Sequence, residues 1–166
     1  MLDGQDICGV ITPADLNKLA ARTYFYNLLA ELEITLAGFI HKHKYTEDKI
    51  FALIGDDEKR QEQIQKKLDD ASLELDIVHT LYLSEMVNLL QRDNDDTLRK
   101  KLGFSSKRQV KKRLNGLVDF RNAVMHPFTP ILSKEIGVEK LHKRLNRTVK
   151  LLDRWNPTDQ VTKVEE

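Results

Sequence analysis

Apolar residues recur at helical spacing along almost the whole of this chain, and period-two alternation is nearly absent. Phe25, Leu28, Leu29, Leu32, Leu36, Phe39 and Ile40 share one helical face. The spacing predicts one long first helix. Thr12 can cap it, Pro13 suits its first position, Asp15 can close a capping box, and nothing breaks the pattern until about Lys44. Such a helix would hold about 30 residues and reach roughly 45 Å. A short helix over 46–54, ended by Gly55, and a more charged one over 57–68 follow. Leu75, Val78, Tyr82, Met86 and Leu89 mark the next, and Gly103 closes a brief helical turn. Ser106 and Gln109 open a helix that runs toward Met125. Val138, Leu141, Leu145, Val149 and Leu152 stripe the last, which ends before Pro157. The one strand signal is "ICGVI" at 7–11. The expected fold is therefore all-α: an antiparallel bundle of about five helices built on one long first helix. At 166 residues the chain suits one buried core.

A composition of 32% charged and 40% hydrophobic residues fits a soluble globular protein. No apolar run has the roughly 18 residues a membrane span needs, and no signal-peptide pattern opens the chain. The expectation is a cytoplasmic protein without a membrane partner. The single Cys8 excludes an internal disulfide and a zinc site built on cysteines. A net charge of +1 names no partner, but its distribution does. Between Thr97 and Val118 there is no acid among eight bases, whereas Asp56 to Asp76 carries eight acids against four bases. The acidic stretch reads as a solvated face. The basic one reads either as another or as a footprint for phosphate, with Lys107, Arg108, Lys111 and Lys112 as the RNA-binding candidates.

That segment leads into "FRNAVMHPF", residues 120–128. At 100° per residue, Val110, Leu114, Leu117, Val124 and Met125 fall within about 60° of one line, and Arg121 falls in the middle of it. An arginine is rarely buried without a partner. Either a carboxylate such as Glu31 pairs with it across the core, or the stripe faces a second subunit or a phosphate. Pro127 disfavours the α region at His126, which frees that ring at the helix end to turn back toward Arg121. Asn122 can bond the ring from position i−4 and fix its tautomer. A guanidinium that clamps a phosphate beside a histidine that moves protons suits metal-independent RNA cleavage. One such pair offers one acid-base group where the reaction needs two, and two copies across a twofold axis would supply both.

Arg121, Asn122 and His126, near the end of a late helix in an all-α chain, resemble the signature of the HEPN domain family. The resemblance covers 17–157 and implies a homodimer with a composite cleft. In it Arg121 and His126 would be the catalytic pair of a metal-independent endoribonuclease supported by Asn122, of the kind found in toxin or defence systems. It implies no cofactor, and it admits an antitoxin as partner. Other members of that family act only as dimerisation or interaction modules, which is the alternative function.

Gly9, Val10, Ile11, Thr12, Asp15 and Leu16 resemble the last strand and helix start of a CBS domain. This second resemblance assigns 1–16 to the end of such a domain and 158–166 to a flexible tail. It also raises an upstream nucleotide-sensing region as a regulator, although Thr12 and Asp15 already have a sufficient role as a cap. The remaining histidines read as ordinary: His41 and His43 point to different sides of a helix, His79 is expected to be partly buried and His142 exposed. No glycine-rich phosphate loop, Ser-His-Asp signature or HExxH motif is present.

Overall fold

A computed structural model describes residues 2–3, 6–7, 12–55, 57–70, 76–133 and 136–156. Among them the fold is all-α, with seven helices rather than about five. These are α1 (Leu19–Lys42), α2 (Glu47–Ile54), α3 (Glu58–Leu68), α4 (Leu83–Arg92), α5 (Thr97–Lys101), α6 (Lys107–Met125) and α7 (Val138–Trp155). Two 3₁₀ helices, Pro13–Asn17 and Ile77–Thr80, precede α1 and α4. The strands β1 (Leu2–Asp3) and β2 (Asp6–Ile7) pair antiparallel. Cys8, Gly9, Val10, Ile11, Leu75, Pro157 and the 158–166 tail lie outside the described residues. No helix among the described residues is long and apolar enough to cross a membrane.

Local chemistry sets most helix starts. The hydroxyl of Thr46 accepts from the Lys49 amide at 3.3 Å, the Asp57 carboxylate from Arg60 at 3.1 Å, and the Ser106 hydroxyl from Gln109 at 3.2 Å. Gly103 has φ +76, and Arg154 donates to its carbonyl at 3.1 Å. A Cβ there would stand 2.3 Å from that guanidinium.

The expected unbroken first helix is instead split at Lys18, whose ψ of 161° is extended. The cause is long-range. The Asn17 side chain accepts from the Ile131 and Leu132 amides at 2.7 and 2.9 Å and donates to the Leu132 carbonyl at 3.3 Å. Those bonds and the tight 3₁₀ turn outweigh the propensity to continue. Helix α1 thus holds 24 residues, about 36 Å. The Asp15 carboxylate accepts from the Thr12 amide at 2.7 Å and from its hydroxyl at 2.8 Å. With Lys18 beside it, that carboxyl is held well below the usual range.

The amphipathic pattern through Val78, Tyr82 and Met86 is likewise two pieces. Asp76 bonds the Val78 amide at 2.8 Å and Glu85 bonds the Tyr82 amide at 2.7 Å, so each short element has its own cap. On α7 the buried stripe runs through Leu141, Thr148, Leu151, Leu152 and Trp155, leaving Val138 and Val149 exposed.

Buried side chains form two clusters. The larger gathers Leu32, Leu36 and Ile40 of α1 with Ile50, Ile64, Leu89, Leu114 and Trp155. The smaller joins Phe25 and Leu29 to Phe120, Val124, Ile131 and Leu141. Its centre is the Phe25–Phe120 pair, with ring centroids 5.6 Å apart. Helix α7 runs antiparallel to α6, placing Leu141 beside Phe120 and Arg154 beside Gly103.

Candidate functional site

The C-terminal end of α6 is fixed by α1. Arg22, buried, donates through Nη1 to the carbonyls of Ala123 at 2.8 Å, Val124 at 3.2 Å and His126 at 3.2 Å. Its Nη2 reaches the Thr129 carbonyl at 2.5 Å and its Nε the Asn17 carbonyl at 3.0 Å. A helix leaves its last carbonyls without intrahelical partners, and one guanidinium satisfies several of them here. Together with Asn17, it sets the course of the chain from 123 to 132.

His126 leaves the helix with φ −96° and ψ 107°, as the following proline demands. Its amide still donates to the Asn122 carbonyl at 3.1 Å, and its ring is exposed. The expected bond from the Asn122 amide to that ring is not formed. The extended conformation at His126 turns the side chain off the i−4 row, and main-chain atoms make the contact instead. Among the described residues, the ring has no hydrogen-bond partner.

Arg121 is not at the centre of the buried stripe. Burial on α6 follows Val110, Leu114, Leu117, Phe120, Ala123 and Val124, while Met125 is exposed. Phe120 and Ala123 draw the stripe toward α7, leaving Arg121 at its border. There its Nε donates to Glu33 Oε1 at 2.9 Å, the side chains being 26% and 23% exposed. The acid is Glu33 rather than Glu31 because of helical phase. The buried face of α1 is centred on Phe25, Leu29, Leu32, Leu36 and Ile40. At 100° per residue Glu33 falls about 60° from that centre and Glu31 about 140°, toward solvent. The terminal nitrogens of Arg121 have no hydrogen-bond partner among the described residues.

Arg121 separates two small depressions. One, of about 140 Å³, is lined by Tyr82, Ser84, Val118 and Asn122, and the other, of about 70 Å³, by Tyr26, Ala30, Glu33 and Met125. In the second, Tyr26 of α1 and Met125 at the end of α6 are exposed apolar side chains.

The basic candidates divide. Arg108 and Lys112, four residues apart, line an open groove of about 900 Å³ between α6 and α7. Lys107 is spent locally, donating to the Arg92 carbonyl at 3.2 Å and to Asn94 Oδ1 at 2.9 Å. Lys111 is exposed outside the groove. His79 proves exposed rather than partly buried and stacks on His41, which meets Asp76 at 3.0 Å. His142 is exposed and within 2.8 Å of the Asn146 amide.

Glu33 and Arg22 were not singled out by sequence reasoning. Helical phase alone identifies Glu33; nothing local marks Arg22, whose partners lie more than a hundred residues away. No family model matches the chain, and no curated protein or solved structure matches it.

Proposed function

We propose that this chain is a metal-independent endoribonuclease of HEPN type, acting as a homodimer through Arg121 and His126. The observation that carries the reading is the state of Arg121. Glu33 holds its Nε and leaves the terminal nitrogens free at a half-exposed edge. A guanidinium oriented in this way offers two parallel donors to a phosphate without first reorganising. His126 supplies an unengaged imidazole at the end of the same helix, on a segment pinned by Arg22. The exposed Tyr26 and Met125, which share a depression with Glu33, suit contact with a second copy, which would bring a second histidine to the cleft. Arg121 and His126 of one chain then need not touch.

In the reaction, one imidazole takes the proton of a ribose 2′-OH as that oxygen attacks phosphorus. The P–O5′ bond breaks, and a protonated imidazole gives its proton to the departing 5′-oxygen. The products are a 2′,3′-cyclic phosphate and a 5′-hydroxyl. Arg121 balances the charge that builds on the phosphoryl oxygens.

The test is incubation of the chain with mixed cellular RNA in excess EDTA beside His126→Ala. Cleavage by the parent alone, leaving cyclic phosphate ends, is the expected result. Equal cleavage by the two would remove His126 from the site. One observation favours a second reading, a non-catalytic interaction module: the Arg121–Glu33 pair also serves as a purely structural tie. Under that reading neither protein cleaves, while both sediment as dimers.

A further inference from the structure

The groove between α6 and α7 carries a concentration of charge that the fold does not use. Its α6 wall presents Arg108, Lys112 and Arg113. Its α7 wall presents Lys143, Arg147, Lys150 and Arg154, and no acid among the described residues lines it. Outside the groove, Lys18 meets Asp15 and Lys100 meets Asp96. In the groove, among the described residues, only Lys143 has an acid, Glu139 at 2.5 Å, which stands outside the lining. Arg147 and Arg154 are held by main-chain carbonyls instead: those of Lys112 at 3.3 Å, Arg113 at 3.4 Å and Gly103 at 3.1 Å. Those bonds fix the side chains, and no acid among the described residues stands against their charges. Clustered like charge works against the compact state and attracts a polyanion.

We propose that this groove holds the sugar-phosphate backbone of a single nucleic-acid strand. The four α7 cations follow i, i+4, i+7, i+11, so they share a face and span about 16 Å. One stacked strand carries about five phosphates over that length. Neighbouring helix axes lie roughly 8–10 Å apart, so the trough between them admits one strand, whereas a duplex meets only its rims. No aromatic side chain lines the groove, so bases have no stacking platform and recognition falls on phosphate. The groove faces the flank of α6 opposite Arg121. Lys112 and Arg121 are also nine residues apart, about 13 Å along the axis. The groove is thus an anchoring surface, separate from the reacting pair. It rests on the reading above for the identity of the strand as RNA.

The test uses the full chain carrying His126→Ala, in EDTA, with a fluorescent single-stranded RNA of about 20 nucleotides read by anisotropy. Reversing Arg108, Lys112 and Lys150 to Glu, all exposed, should raise Kd at least about tenfold. Reversing Lys42, Lys67 and Lys101, an equal change in net charge outside the groove, should leave Kd within about twofold. With about five phosphates engaged, affinity should fall roughly a hundredfold between about 50 and 200 mM salt. Single-stranded DNA of the same sequence should bind within a few-fold of RNA. Thermal melts establish that both triple variants are folded. Equal losses in the two, no loss in either, tighter binding of duplex, or equal competition by polyglutamate would each overturn the proposal. If the groove pattern holds while the parent cleaves no RNA, the cleavage reading fails and the groove stands. Cleavage without groove-dependent binding gives the reverse.

Discussion

Tyr82 stacks on the arginine of one arginine–glutamate pair and shares a depression with the arginine of another, and the two pairs are built differently. Arg60 and Glu85, side chains 11% and 12% exposed, meet twice: Nε to Oε1 at 2.6 Å and Nη2 to Oε2 at 2.9 Å. Nη2 also reaches the Thr80 carbonyl at 2.7 Å, and the guanidinium stacks 4.0 Å over the Tyr82 ring. Glu85 is engaged further through the Tyr82 amide, so both partners belong to the architecture. Arg121 and Glu33 are about twice as exposed and meet through a single nitrogen. One pair closes a fork upon a fork, and the other holds a fork open. The position of the acid decides which: Glu85 lies along the Nε–Nη2 edge of its guanidinium, while Glu33 reaches only the Nε of Arg121.

The largest expected effect breaks the closed pair. Glu85→Ala should cost about 3 kcal/mol, since it strands a buried guanidinium and removes a helix cap. That is a fall of roughly 10 °C in Tm for a chain of this size, read by thermal unfolding. Next comes Arg22→Met, which removes the donors that serve the end of α6. It should cost about 2 kcal/mol and speed amide exchange at Ile131 and Leu132 more than at Leu114. A smaller loss is expected for Glu33→Gln, no more than about 1 kcal/mol because the pair is partly solvated. If cleavage proceeds as proposed, that variant loses more activity than stability, because Arg121 is no longer held. On the same condition, Arg121→Lys should leave Tm nearly unchanged and still lower kcat, as an ammonium cannot form two parallel bonds. A double-mutant cycle on each pair would sharpen the contrast, with coupling severalfold greater for Arg60–Glu85 than for Arg121–Glu33.

The helices were legible wherever a cap and a periodic stripe agree. Thr46 and Asp57 on either side of Gly55 separate α2 from α3 by local chemistry alone, and Ser106 starts α6 in the same way. The break at Lys18 was not legible, because Asn17 answers to Ile131 and Leu132 across the fold. At the site, His126 leaving the helix followed from Pro127. A carboxylate partner for Arg121 was legible as one alternative, with Glu31 as its example; helical phase selects Glu33 once the buried face of α1 is known. The α7 wall of the groove escaped notice for a different reason. Its cations alternate along the sequence with Leu151, Asp153 and Val149, so a linear charge scan sees no run, although every one falls on a single face.

The bonds made by Arg22 and Asn17 end on carbonyls and amides of Ala123, Val124, His126, Thr129, Ile131 and Leu132, and on no side chain there. Such a clamp reads the path of the loop and is blind to its letters. Positions such as Phe128, 99% exposed, can therefore exchange one residue for another without moving His126. This end of the molecule keeps the place of residue 126 fixed while its surroundings remain free to diversify, so the loop can change its sequence without rebuilding the frame.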